Sequence, residues 1–464
     1  MSDSEAIMWA VEKDPALRSD FCNLTLLDSA PDPDRLREKI DDALRGIPRL
    51  GQRVVSAPLR IVPPVWVDDP DLDIGYHVRR VAAPHPGGMR ELLDLCAALA
   101  EAPFDRSRPL WEFTVIDGLA GGRTAMLQKM HHTITDGVGG LKLSLALVDF
   151  EADPEPVGPV APVASTEDTD DTGGADDVAR QSPIDVLRDA VGDAVGRHLS
   201  TTRTIAATAG HAVTHPGEAP ANALGALRLV GSLRRQVLVT DAARSTVLTG
   251  RSLRKHFEVF TVDMPAARDA AKRLGGSLND VFVTGVAGAL GRYAEKSGGD
   301  ADELRMAMPV STRERGERAA NRFVPTRLLV PTDPHDVRER FATTADRMRS
   351  TRSEPALAAA ELLAGFASGL PTSMLVAATH SQTRTIDFAT SNLRGSPAPL
   401  YLAGARIVAN YPIGPRTGCA LNVTLLSYCD ELNMGLNIDP AAVIDVPLLM
   451  TCLAESFDEL LNVR

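Results

Sequence analysis

The stretch Lys129-Met130-His131-His132-Thr133-Ile134-Thr135-Asp136-Gly137-Val138-Gly139-Gly140 decides how the rest of the chain is read. Ala125 to Met130 is a short apolar run, the Gly-rich segment supplies a turn, and Leu141 to Phe150 returns to helical spacing. The pattern predicts a strand, a tight turn and a helix. Successive side chains in a strand point to opposite faces, so His131 and His132 must diverge. One then faces a cleft while the other packs inside. Asp136, four residues after His132, can fold back across the turn. Imidazole titrates near neutral pH, which makes a strand-end histidine a candidate general base.

Working outward, Pro109-Leu110-Trp111-Glu112 opens an extended run through Val115, and Asp117-Gly118 reads as a turn. Arg123 to Met130 is the returning strand that delivers the two histidines. Upstream, the sequence predicts a strand over Phe21 to Leu27, a helix from Pro33 to Leu44, and a second strand following Arg49. Extended pattern continues over Trp66-Val67 and Ile74 to Val78, and a helix runs from Met89 to Ala102.

Downstream, residues 151–183 are rich in Pro, Asp, Glu, Thr and Gly, with no basic residue before Arg180, and read as an acidic flexible linker. Residues 184–255 form a helical basic crossover in which bases outnumber acids. Its charged face is either solvated or laid on an anionic membrane surface. The second half, 256–464, starts with a strand, His256 to Val262, and a helix, Ala266 to Leu274. Gly275 to Asp280 then leads into a long apolar helix, Val281 to Tyr293, capped by Ser277 or Asn279. A strand over Met306 to Val310 and helices from Asp336 and Ala356 follow. Thr390 to Pro397 reads as a loop, Leu421 to Ile438 as a hairpin around Cys429-Asp430, and Val446 to Leu461 as a closing helix.

The 464 residues suffice for two core-bearing units. A net charge of -12 argues against a nucleic-acid partner, which would need a basic face. Five scattered cysteines without a Cys-x-x-Cys pair favour free thiols in a reducing cytoplasm. Met1-Ser2-Asp3-Ser4-Glu5 is acidic where a signal peptide would be basic, and no apolar run approaches the ~18 residues of a membrane span. Membrane contact is expected to be peripheral, at the inner face of a membrane or on lipid droplets. No metal site is expected beside the histidines, since further ligands at suitable spacing are missing. No Gly-x-Ser-x-Gly elbow is evident either, which disfavours a serine acyl-enzyme.

The full pattern His-His-x-x-x-Asp-Gly, over His131 to Gly137, resembles the signature of the superfamily containing chloramphenicol acetyltransferase and peptide-synthetase condensation domains. Together with Pro109-Leu110-Trp111-Glu112, Gly276 to Asp280, Ser391-Asn392 with Gly395, and Asn422-Val423-Thr424, the chain resembles the bacterial wax ester synthase/acyl-CoA:diacylglycerol acyltransferase family over nearly its whole length outside the acidic linker. The resemblance implies an α/β fold of two chloramphenicol-acetyltransferase-like halves. Each half is a mixed sheet flanked by helices, with an active-site tunnel between them and residues 1–150 forming the half that carries the motif. It implies acyl transfer from acyl-CoA, a co-substrate with no other cofactor, to a hydroxyl of diacylglycerol or a long-chain alcohol. His132 would be the base, His131 its support and Asp136 structural, pairing with Arg53 or Arg313. Asn279 would orient or polarise the reacting groups, and Gly137, Asn392 and Asn422 would contact substrate. The Ser391-Asn392-Leu393-Arg394-Gly395 segment departs from the family's commoner Asn-Val-x-Gly-Pro form. Two other readings are an acyltransferase for a complex lipid or polyketide alcohol, and a non-catalytic lipid-binding or lipid-droplet protein.

Overall fold

The computed structural model describes residues 1–56, 63–134, 143, 146–154, 243–300, 302–311, 323–333, 335–352 and 371–463. The acidic linker from 155 onward, the basic crossover up to 242, the helix expected from Ala356 and the residues Asp136, Gly137 and Arg313 lie outside them.

Two six-stranded mixed sheets carry the architecture. The strands in chain order are β1 (Asp20–Leu27), β2 (Gln52–Val55), β3 (Val65–Asp68), β4 (Val78–Ala82), β5 (Trp111–Asp117), β6 (Thr124–His131) and β7 (His256–Asp263). They continue with β8 (Glu303–Ser311), β9 (Phe323–Pro331), β10 (Phe388–Arg394), β11 (Tyr401–Leu402), β12 (Ala405–Ile413), β13 (Leu421–Tyr428) and β14 (Glu431–Ile438). The first sheet has the order β11-β12-β1-β6-β5-β4 and the second β7-β14-β13-β10-β8-β9, while β2 and β3 form a separate ribbon. In the first sheet only β4 and β5 run parallel; in the second β10 runs parallel to both β13 and β8.

The flanking helices form where their termini are satisfied. Helix Pro33–Gly46 opens with Pro33, and the Asp32 carboxylate accepts the N–H groups of Asp34 and Arg35. Its inner face is Leu36, Ile40 and Ala43. Helix Leu278–Lys296 is buried almost all round, as a hydrophobic run without a polar face must be. Neighbouring chain closes on it at Gly291, where a Cβ would fall 2.0 Å from the Thr332 carbonyl oxygen. The last helix, Val446–Leu461, packs against it through residues such as Leu453 and Phe457.

Three stretches differ from the sequence expectation. Ile74 to His77 is a helical turn, because the Asp73 carboxylate caps the Gly75 N–H; the strand begins only at Val78. Thr390 to Arg394 belongs to strand β10, since Phe388 and Thr390 alternate into the core and the parallel pairing with β13 continues to Arg394, past the two residues that also pair with β8; the irregular backbone starts at Gly395. Strand β12 was not expected. Although it follows β10 in the chain, it pairs with β1 of the first sheet over Cys22↔Ile413 to Leu27↔Ile407.

That crossing strand joins the lobes. It also packs against β13 and β14 of the second sheet, and a Cβ on Gly435 would sit 2.2 Å from the Pro412 carbonyl oxygen. Such an approach admits only glycine. Elsewhere Arg90 reaches from helix Met89–Glu101 to Glu258 and to the Phe257 carbonyl on β7. No helix among the described residues is long and apolar enough to cross a membrane.

Candidate active site

Every residue of β6 is buried, as its central position between β1 and β5 requires. The strand ends at His131, and its register is set from both sides: Asp20 lies opposite His131 on β1, and the His131 N–H donates to the Leu110 carbonyl at 3.0 Å. The Pro-Leu-Trp stretch therefore holds the histidine pair directly. Trp111 is itself fixed, donating its indole N–H to the Leu50 carbonyl at 2.8 Å and stacking on buried His77 at 4.4 Å. His77 donates Nδ1–H to the Trp111 carbonyl at 2.7 Å, and burial pushes its imidazole below its ordinary pKa.

The two histidines part as alternation demands. His131 points inward and is 2% exposed. Its Nδ1 accepts the Thr133 N–H at 3.1 Å and meets the Thr133 hydroxyl at 2.7 Å, which leaves the ring proton on Nε2. That Nε2 faces Glu12 Oε2 at 2.7 Å. His132 is half-buried on the opposite side, with its ring 4.8 Å from that of Phe21 and its backbone N–H donating to the Ser19 carbonyl at 3.3 Å.

Behind the pair is a buried charge network. Glu12 Oε1 accepts the Ser19 N–H at 2.7 Å, and Arg106 reaches Oε2 at 3.2 Å while lying over the Trp9 ring. Burial alone pushes Glu12 up, but His131, the Ser19 N–H and Arg106 together outweigh it and hold the carboxyl below its ordinary pKa. For Asp20 the balance is opposite. Burial dominates, His131 offsets only part of it, and neighbouring Glu12 adds to the rise. Asp20 Oδ2 is buried without a hydrogen-bond partner. Ligand atoms of Glu12, Asp20 and His131 lie within 4.8 Å of one another, a spacing that a cation could in principle use. Here Arg106 and the His131 ring proton already answer the Glu12 charge.

A second arginine pins the turn that follows. Arg49 donates to the Thr133 carbonyl at 2.8 Å and pairs with buried Glu5 at 2.7 Å. Of the two arginines expected to meet Asp136, Arg53 has its Nε buried without a hydrogen-bond partner among the described residues.

The second lobe brings Asn279 and Asn392 together. Ser277 caps the long helix in a reciprocal arrangement with Asp280, so Asn279 is not the cap. Its Oδ1 instead accepts from Asn392 Nδ2 at 2.8 Å. Asn422 is placed differently: it is 7% exposed, donating Nδ2–H to the Pro415 carbonyl and accepting from the Thr424 hydroxyl. Sequence reasoning missed Glu12, Asp20 and Arg49. Asp20, a carboxylate opening an apolar strand run, carried a readable signal; Glu12 and Arg49, set among other charges, carried none.

Known proteins match the chain along most of its length. The wax ester synthase/diacylglycerol acyltransferase catalytic domain matches residues 1–282, and the C-terminal domain of the same family matches residues 319–461. The chain belongs to this family. A Mycobacterium tuberculosis relative bearing a diacylglycerol O-acyltransferase name is 36% identical over 460 residues, covering 98% of this chain and 90% of that one. The family's fold is shared with the wax ester synthase/diacylglycerol acyltransferase from Marinobacter aquaeolei VT8, at 22% identity and a TM-score of 0.60, over 96% of this chain and 94% of that one. The first condensation domain of the CDA synthetase has the same two-lobed fold, at 16% identity and a TM-score of 0.59, over 99% and 95% of the two chains. Family membership makes this protein an acyl-CoA-dependent O-acyltransferase of the wax ester synthase/diacylglycerol acyltransferase kind.

Proposed function

We propose that the protein esterifies a hydroxyl of diacylglycerol or a long-chain alcohol by direct transfer from a long-chain acyl-CoA, with His132 as general base. The observation that carries this reading is the division of labour in the histidine pair. His131 is locked inward by Glu12 and Thr133, while His132 is half-buried beside Phe21 on the opposite side. An imidazole nitrogen of His132 takes the hydroxyl proton as the oxygen attacks the thioester carbonyl. The tetrahedral oxyanion collapses, the C–S bond breaks, and the CoA sulfur leaves with the proton that the imidazolium returns. Atoms balance as alcohol plus thioester giving ester plus thiol. Acyl-CoA as donor has a parallel in the related fold: a starter condensation domain of the rhizomide synthetase was solved with C8-CoA.

Asp136 is structural in this reading, Gly137 contacts substrate, and the hydrogen-bonded Asn279 and Asn392 orient the reacting groups from the second lobe. Asn422 acts through loop 414–418, whose Pro415 carbonyl it holds. Both lipid substrates are water-insoluble, so the enzyme works at a membrane or lipid-droplet surface, with exposed Phe150 and Ile444 as apolar contacts. The test is His132→Ala with palmitoyl-CoA and dioleoylglycerol or hexadecanol, followed by free-thiol release. The expected loss is about 10²- to 10⁴-fold, the usual worth of a positioned base. Thiol release at the wild-type rate removes His132 from the mechanism.

A further inference from the structure

Phe21, which touches His132, begins a row of side chains on one face of the first sheet. Asn23 and Thr25 follow on β1; Gln128 stands opposite Asn23 on β6, and Asn410 opposite Thr25 on β12. These polar groups line a cavity of about 30 Å³ between the sheets, closed by Ser396, Leu400, Ile407 and Leu426. Gln128 precedes His132 by four residues, which puts the cavity about 13 Å along the strand from the reacting centre.

The polar row has a direction. Asn23 Nδ2 donates to Gln128 Oε1 at 3.1 Å and to the Thr25 hydroxyl oxygen at 3.4 Å, and that hydroxyl donates onward to Asn410 Oδ1 at 3.2 Å. The relay fixes the flip of the Asn410 amide. Its oxygen is taken by Thr25, and among the described residues no protein group meets its Nδ2. Two N–H donors are therefore left for the cavity. Running plain hydrocarbon past them would strip their water and return nothing, whereas an acceptor oxygen satisfies them. The surrounding Leu400, Leu402, Ile407 and Leu426 suit the apolar chain on either side of such an oxygen. The volume suits about two water molecules, so the oxygen function itself fills it, with the chain that carries it lying against the surrounding leucines and Ile407.

We propose that this cavity is a subsite for a carbonyl or hydroxyl oxygen carried partway along a substrate chain, read by the Asn410 amide. The inference rests on His132 marking the reacting centre. Two sources present such an oxygen: a mid-chain hydroxyl on the acyl chain, and an amide carbonyl on the pantetheine arm of the thioester.

The test compares kcat/KM ratios within single preparations of wild type, Asn410→Asp and Asn410→Leu. Asn410→Asp keeps the size and the acceptor for Thr25 but loses both donors; Asn410→Leu fills the site without charge. Donors are stearoyl-CoA, mid-chain hydroxystearoyl-CoA and the N-acetylcysteamine thioester of stearate, all with hexadecanol. One neutral hydrogen bond predicts a selectivity change of about 5- to 10-fold. A fall in the hydroxystearoyl-to-stearoyl ratio in either variant supports the subsite and assigns it to the lipid chain. A fall in the CoA-to-N-acetylcysteamine ratio supports it and assigns it to pantetheine. If both ratios stay at the wild-type value in a variant that melts as wild type does, the proposal is overturned and the cavity is a water site. Failure of the base assignment reads out separately: His132→Ala would then retain thiol release with every donor, whatever the Asn410 ratios show.

Discussion

Glu12→Gln tests whether the network behind the histidines positions the turn. The substitution keeps the shape, and the Gln oxygen can still accept the Ser19 N–H. Its amide nitrogen, however, then faces both the His131 Nε2–H and Arg106, so donors oppose donors. His131 cannot answer by shifting its proton, because Nδ1 already accepts the Thr133 N–H. One buried N–H left unmet costs about 1–3 kcal/mol. Removing the charge from a buried pair brings the total toward about 3 kcal/mol, the low end for breaking such a pair. At about 2–4 °C per kcal/mol for lobes of this size, the melting temperature should fall by about 6–12 °C. The turn that carries His132 should loosen with it, lowering kcat about 10-fold or more, because misplacement near 1 Å is enough for larger losses. Glu12 is held below its ordinary pKa in the folded state, so its contribution is complete above the unfolded value of about 4.3. That contribution is lost as pH falls through the depressed folded value. The melting gap between wild type and Glu12→Gln should be flat from pH 8 to 5 and close below about pH 4.3. A variant that melts within a degree of wild type at pH 7 with unchanged kcat refutes the argument.

Asp20 carries the opposite sign. Its folded pKa is raised, so the folded state binds a proton that the unfolded chain releases above about pH 3.9, and stability falls as pH rises past that point. Asp20→Asn should match wild type near pH 3.5 and melt higher at pH 8; a gap independent of pH contradicts it. Gly435→Ala places a Cβ 2.2 Å from the Pro412 oxygen and should separate β12 from β14, costing several degrees of melting temperature or soluble expression. Wild-type melting would show that the lobe junction yields cheaply. Asn279→Ala and Asn392→Ala should be non-additive in kcat/KM, with a coupling of about 1 kcal/mol from their shared hydrogen bond. Strict additivity would mean that the pair does not act as a unit.

The sequence reading located most elements because local signals decide them: Asp32-Pro33 for one helix start, Ser277 for another, Cys429-Asp430 for a hairpin. It failed where tertiary neighbours decide. β12 alternates buried and exposed residues from Ala405 to Ala409, but its partner is nearly four hundred residues upstream, and no local pattern announces that. Strand Phe388–Arg394 reads as a loop from Thr390 on because Thr390, Ser391 and Asn392 follow one another ahead of Gly395, yet parallel pairing with β13 through Arg394 keeps it extended. At the site, alternation alone separated His131 from His132. Glu12, Asp20 and Arg49 were illegible because charged residues ordinarily lie in solvent, and only the packed turn draws these three toward it.

The placement of β12 also bears on how the protein is made. During synthesis β1 emerges first and pairs with β6, but its other edge stays bare until residues 405–413 leave the ribosome. At ~5–20 residues per second that wait lasts about 20–80 s, long enough for an unpaired edge to recruit a foreign strand. The last step in assembling the first lobe therefore waits for β12, a strand encoded far along the second half. An N-terminal fragment produced alone would keep that edge open and should aggregate unless the C-terminal fragment is supplied in trans.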